Sequence, residues 1–319
     1  MPSGMDLPPR ELASRLEGLL AFPLTPFTGE GRVNQELLRR QVDGLLGRGA
    51  VAVCPACGTG EFFSLSPVEY EQVLEACSAE VGGRVPIVAG IGYGTALACT
   101  YAEIAGRAGA DAVLVMPPYL AQGGVEGMEA HYRAVARSTP LAVILYQRDN
   151  AVFDPAMVLR LAEEPNVIGV KDGIGQLERL HQIRRLVGDR LILLNGLPTA
   201  EIHAQALSFC GARGYSSAIL NFMPEIAIAF HRAYGDGDEV AMRRLLDTAV
   251  LPFATIRNRR PGYAVSLVKA GARLRGIPVG PARAPLSEVT AEDERDLLGL
   301  LSTLGLDSPL LDAKERTRE

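Results

Sequence analysis

Short apolar runs alternate along this chain with longer stretches in which apolar positions recur every three or four residues. The runs lie at 19–24, 50–54, 86–89, 112–116, 141–146, 167–170, 191–195 and 214–217. Each is too short for a helix and nearly continuous in Val, Ile, Leu and Ala, which predicts strands buried on both faces. Helical periodicity fills the intervals near 34–48, 67–81, 95–108, 126–137, 155–163, 176–187, 199–209 and 224–234. Ser66-Pro67 and Asp154-Pro155 each place a capping side chain before a first-turn proline. Glycine closes other helices, as at Gly49, Gly109 and Gly211.

Eight strand–helix units in succession predict a (β/α)8 TIM barrel over 16–235. Beyond it the strands stop. Helical patterns near 238–256, 262–275 and 290–303 predict a C-terminal helical appendage over 236–305, and 1–15 and 306–319 are expected to fray. A doubly wound nucleotide-binding sheet is the competing architecture. Its best support is Gly90-Ile91-Gly92-Tyr93-Gly94, which lacks the G-x-G-x-x-G spacing and follows the third strand. These glycines read instead as a tight loop at the barrel mouth.

Composition narrows the function. The 319 residues carry a net charge of −5 with no clustered basic face, which argues against nucleic acid as the main partner. No apolar run approaches the roughly 20 residues needed to span a bilayer. The start Met1-Pro2-Ser3-Gly4-Met5-Asp6 lacks a signal-peptide pattern, so a soluble, cytoplasmic protein is expected. Five cysteines form no even disulfide framework. Cys54-Pro55-Ala56-Cys57 spells C-x-x-C, but a zinc site would want a second ligand pair. The preferred reading is one thiol buried on a strand and one in the loop after it.

Lysine is scarce: Lys171, Lys269 and Lys314 are the only three. Lys171 closes the sixth strand run, in Val167-Ile168-Gly169-Val170-Lys171-Asp172-Gly173. Desolvation at the end of an apolar strand favours the neutral, nucleophilic form of an amine. Arginine would serve a surface charge there, but it cannot form an imine. The alternative is a lysine that leaves the strand into solvent.

Catalytic groups of such barrels sit at the C-terminal strand ends. Tyr146 ends strand five, Asn195-Gly196 strand seven and Ser216-Ser217 strand eight, while Cys57-Gly58-Thr59-Gly60-Glu61 follows strand two. Backbone N–H groups at Gly58 and Thr59, with the Thr59 hydroxyl, suit a carboxylate, although a plain tight turn fits as well. Tyr146 by itself reads equally as a core tyrosine with a satisfied hydroxyl.

Together these segments resemble the dihydrodipicolinate synthase / N-acetylneuraminate lyase superfamily over roughly residues 16–305. Cys57-Gly58-Thr59-Gly60-Glu61 matches its G-T-T-G-E motif, Leu145-Tyr146 its catalytic tyrosine, and Gly169-Val170-Lys171-Asp172 its Schiff-base lysine. Gly211-Ala212-Arg213-Gly214, with Asn221 and Pro224, matches its strand-eight segment. Finer details resemble the 5-dehydro-4-deoxyglucarate dehydratases: Gly60-Glu61-Phe62-Phe63-Ser64-Leu65, Tyr146-Gln147-Arg148-Asp149-Asn150 and Gly214-Tyr215-Ser216-Ser217-Ala218. The chain departs from dihydrodipicolinate synthase, whose first motif threonine falls on Gly58 and whose arginine beyond the tyrosine falls near Ala151. Cys57 replaces the usual first glycine of the motif.

The resemblance implies a lyase working through an imine on Lys171, with Tyr146 moving protons. Gly58 and Thr59 would hold the carboxylate beside the ketone, and Asn195, Gly196 and Ser217 the substrate hydroxyls or far carboxylate. It implies a small keto sugar diacid as substrate, with no metal or other cofactor. It also implies a homotetramer with Tyr119 at a subunit contact. Two rivals stand beside it: a 2-keto-acid aldolase or synthase using the same imine, and a non-catalytic barrel that binds a sugar acid.

Overall fold

The computed structural model describes residues 5, 7–119 and 121–311. Eight parallel strands run β1 Gly18–Ala21, β2 Ala52–Val53, β3 Val88–Ile91, β4 Ala112–Val115, β5 Ala142–Gln147, β6 Val167–Asp172, β7 Ile192–Asn195 and β8 Ala212–Ser217. They are ordered β2-β1-β8-β7-β6-β5-β4-β3, and a parallel bridge between Val53 and Ile87 joins the two ends into a barrel. After a first helix α1 (Pro9–Arg15), one helix follows each strand: α2 Gln35–Gly47, α3 Pro67–Val81, α4 Thr95–Arg107, α5 Val125–Arg137, α6 Pro155–Leu161, α7 Leu177–Val187, α8 Ala204–Phe209 and α9 Pro224–Asp236. Four more follow among the described residues: α10 Glu239–Leu245, α11 Leu251–Arg257, α12 Tyr263–Leu274 and α13 Ala291–Thr303.

The capping signals work as read. Ser66 and Glu69 form a reciprocal capping box on α3, and the Asp154 carboxylate accepts from the N–H groups of Ala156 and Met157 at the start of α6. Between α10 and α11 the helix widens into a π turn over Leu246–Val250. Pro252 has no N–H and its ring crowds the carbonyl four residues back, which such a turn accommodates.

Two expectations shift. β6 extends through Lys171 and Asp172, which the apolar pattern alone left outside it. Within 1–15, expected to fray, Pro9–Arg15 are helical and bury Leu12, and α1 packs against β6. Its single apolar i, i+4 pair, Leu12 and Leu16, is too short a periodic signal to stand out. Residues 1–4, 6 and 312–319 of the stretches expected to fray lie outside the described residues. No helix among the described residues is long and apolar enough to cross a membrane.

The Gly90–Gly94 segment serves packing. A Cβ on Gly90 would lie 2.2 Å from the Ala56 carbonyl oxygen, so the β2 loop can lie against β3 only where the side chain is hydrogen. The C-x-x-C thiols are also structural. Both are buried and unpaired by disulfide, and burial pushes Cys57 up to about 12 and Cys54 well above its ordinary value.

The C-terminal helices are tied to the barrel mouth by charge. The Lys269 ammonium on α12 lies 2.5 Å from Glu61 in the β2 loop, and both side chains are fully buried. Lys269 also donates to the Pro281 carbonyl at 3.0 Å, and the Arg283 N–H donates to Glu61 at 2.8 Å. The Arg283 guanidinium grips Glu69 of the capping box and holds that carboxyl at about 2. Removing one member of a buried pair strands the other's charge and typically costs about 3–5 kcal/mol. Lys269→Met should therefore lose about that much stability in urea unfolding. The double variant Glu61→Gln/Lys269→Met should lose clearly less than the sum of its parts. A single-variant loss below about 1 kcal/mol would mean that the pair holds nothing together.

Candidate active site

Strand register decides which side chains reach the barrel mouth. β5 and β6 align Tyr146 with Lys171 and Gln147 with Asp172; β6 and β7 align Lys171 with Leu194 and Asp172 with Asn195. Successive side chains on a strand face opposite ways. Tyr146 and Lys171 share the inner face, and Gln147, Asp172 and Asn195 share the outer one. The outer residues fasten loops. Asp172 accepts from the Gln147 amide at 2.6 Å and from the N–H groups of Ile174 and Gly175. Asn195 donates to the Ala200 carbonyl at 2.9 Å and accepts from the Leu197 N–H at 3.1 Å.

The inner residues surround a cavity of about 290 Å³ at the C-terminal strand ends. Lys171 lies on its wall and is only 4% exposed. Its Nζ sits 4.6 Å from the Phe22 ring centre and 4.3 Å from that of Tyr146. Among the described residues Lys269 has a carboxylate partner and Lys171 has none. The amine is thus close to aromatic faces in a nearly dry wall, an environment suited to a nucleophile. The Tyr146 hydroxyl donates to the Gly196 carbonyl at 3.1 Å and accepts from Arg148 at 3.3 Å.

Gly58 and Thr59 line the same cavity, in a turn shaped by left-handed backbone at Ala56 (φ 49°) and Glu61 (φ 57°). Cys57 is not in the left-handed region, so a side chain is tolerated where the family usually has glycine. The Thr25 hydroxyl donates to the Gly60 carbonyl at 2.6 Å and steadies the turn. The other non-glycine residues with positive φ, Tyr93, Asp149 and Thr199, lie in the loops after β3, β5 and β7. Backbone strain therefore gathers around the mouth, as it does at many functional sites.

The cavity collects Lys171, Tyr146, Gly58, Thr59, Gly196 and Tyr119. Tyr119 is 45% exposed and stands edge-on to Tyr93 with ring centres 5.5 Å apart. Asn195 and Ser217 do not line it. The Ser217 hydroxyl donates to the buried Glu201 carboxylate at 2.5 Å, on the outer side of β8 with Tyr215, which packs on Phe230 and His231 of α9. Ser216 takes the inward place. Arg148 and Arg257 also line the cavity and escaped sequence reading. Arg148 lies two residues past Tyr146 and so shares its parity, whereas Arg257 arrives from α11 with no local signal. A larger groove of about 680 Å³ lies under α1 at the opposite end of the strands, away from these groups.

Gly196 sets the spacing of the pair. A Cβ there would meet Lys171 Cγ at 2.7 Å, Lys171 Cε at 3.0 Å and Tyr146 Cε2 at 3.0 Å. Gly196→Ala should fold but displace both side chains. A displacement on the order of 1 Å costs about 100-fold in rate, so kcat should fall by about that factor with a small change in melting temperature. Unchanged kcat would show that the two side chains have slack.

Comparison with known proteins agrees with this geometry. The dihydrodipicolinate synthetase family matches residues 15–304. "Probable 5-dehydro-4-deoxyglucarate dehydratase 1" of Streptomyces coelicolor is 47% identical over 298 residues, covering 91% of this chain and 94% of that one. "Probable 5-dehydro-4-deoxyglucarate dehydratase" of Rhizobium meliloti is 47% identical over 295 residues, covering 92% and 98%. Among solved structures, dihydrodipicolinate synthase from Bacillus clausii superposes with a TM-score of 0.85 at 29% identity, covering 92% of this chain and all of that one. A barrel of this topology, a lysine and tyrosine facing each other across β5 and β6, and a match over nearly its whole length place this chain in the dihydrodipicolinate synthetase family.

Proposed function

We propose that the chain is a Schiff-base hydro-lyase that converts 5-dehydro-4-deoxyglucarate to 2,5-dioxopentanoate, water and carbon dioxide. The observation that carries this is the nearly buried Lys171 amine, without a carboxylate partner among the described residues, beside Tyr146 in a cavity also lined by arginines. The naming of the relatives at 47% identity supports the same substrate.

Lys171 attacks the ketone and water leaves, giving an iminium that acts as an electron sink. The neighbouring methylene loses a proton, and the resulting enamine expels the β-hydroxyl as water. The product is an iminium conjugated to the new double bond, which reaches the carbon bearing the distal carboxylate. Loss of carbon dioxide sends its bonding pair into the same sink. Protonation and hydrolysis of the imine then release 2,5-dioxopentanoate and the free amine.

Tyr146 handles protons at the imine-forming carbon, aided by Arg148, and the Gly58–Thr59 turn holds the carboxylate beside the ketone. The chain acts as a soluble cytoplasmic homotetramer, and the partly exposed Tyr119 at the cavity rim suits a subunit contact. An aldolase reading shares the lysine and tyrosine, but it predicts pyruvate release instead of carbon dioxide.

Two experiments test the assignment. Borohydride with 5-dehydro-4-deoxyglucarate should trap an adduct on Lys171 that Lys171→Ala abolishes, while carbon dioxide appears in step with turnover. An adduct on Lys269 alone, or pyruvate as product, would overturn it. Tyr146→Phe keeps the packed ring and should melt normally, with kcat reduced about 10²–10⁴-fold. Near-normal kcat with a loss of about 1 kcal/mol in stability would leave the hydroxyl a structural role only.

A further inference from the structure

A diacid carries two carboxylates, and the Gly58–Thr59 turn accounts for one. Two arginines share the cavity wall with Lys171. Arg148 is already engaged: its guanidinium donates to the Tyr146 hydroxyl at 3.3 Å and pairs with the Asp149 carboxylate at 3.2 Å. Arg257 has no carboxylate within ion-pair distance among the described residues. Its donors meet neutral oxygens, the Thr199 hydroxyl and the Asn258 side-chain carbonyl, the latter at 3.1 and 3.0 Å. Those contacts fix the direction of the fork without neutralising it. Burial works against its charge. The nearby carboxyl of Glu201 is itself buried, held by Ser217 and pushed up by desolvation, so it is a weak counter-ion. A half-buried guanidinium of this kind gains most from an anion that enters the cavity.

We infer that Arg257, brought over the barrel mouth by α11, recognises the distal carboxylate of the substrate and makes the site selective for keto diacids. This rests on the imine reading above. The carboxylate it grips leaves as neutral carbon dioxide, so the contact is stronger in the bound substrate than in the decarboxylating transition state. Arg257 is therefore a specificity residue that acts on binding, and its loss should raise KM far more than it lowers kcat.

The probes are 2-oxoadipate and 2-oxohexanoate, which share the six-carbon chain and the ketone beside a carboxylate but differ in the distal carboxylate. Borohydride trapping on Lys171, read by intact mass, gives a half-saturating concentration for each. In the unmodified enzyme 2-oxoadipate should saturate at least tenfold lower. Arg257→Gln should raise its half-saturation about 10- to 100-fold, the loss expected for a charge-assisted contact, and leave 2-oxohexanoate within about twofold. Arg257→Lys should recover part of the difference. Equal weakening toward both acids, no change toward either, or loss of discrimination in Arg148→Gln alone would overturn the inference. Failure of the unmodified enzyme to trap either acid would sink the imine reading and this inference with it. Trapping of both at the same concentration would sink only the role of Arg257.

Discussion

A residue on a barrel strand faces either the interior or the surrounding helices, and its neighbour must face the other way. This alternation governs the mouth of the molecule. It puts Tyr146 and Lys171 side by side on adjacent strands facing in, and it puts Gln147, Asp172 and Asn195 behind them facing out. A one-residue slip of β6 would exchange Lys171 for Asp172 and turn the amine toward the helices. The outer residues resist that slip by spending their hydrogen bonds on the loops that follow each strand. Chemistry on one face and anchoring on the other are two results of one register.

The two buried lysines show how setting decides what an amine does. Lys269 has a carboxylate 2.5 Å away and a carbonyl besides, so its charge is compensated and its N–H donors are engaged. Lys171 has aromatic rings in their place. Ring faces attract a cation weakly compared with a carboxylate. The same residue type is a strut in one wall and, in the other, an amine with no carboxylate partner among the described residues.

Much of this was legible in the chain. Eight short apolar runs separated by amphipathic helices led to the barrel, and the barrel gave Lys171, Tyr146 and the Gly58–Thr59 turn a common rim. What escaped has identifiable causes. Composition does not reveal which of Ser216 and Ser217 faces inward; the packing of Tyr215 on α9 does. The apolar pattern ended β6 at Val170 because Lys171 and Asp172 are polar, although strand pairing continues through both. Arg257 could not be found from local pattern at all, since its place at the mouth depends on how α11 crosses the strand ends. Short α1 is hidden in the sequence because one i, i+4 pair carries little periodicity.

The contact between Arg283 and Glu61 spans 222 residues of chain. Glu61 emerges early in synthesis, as the turn that lines the cavity is being made, while the partners that fix its carboxylate are among the last quarter of the chain. Closing so long a loop carries an entropic cost that local contacts cannot offset. A growing chain with its strands already paired would hold an unpaired carboxylate at a wall destined to be dry. The Gly58–Thr59 turn is therefore completed only when the C-terminal helices dock, and a chain cut short of them would have barrel strands without a finished mouth.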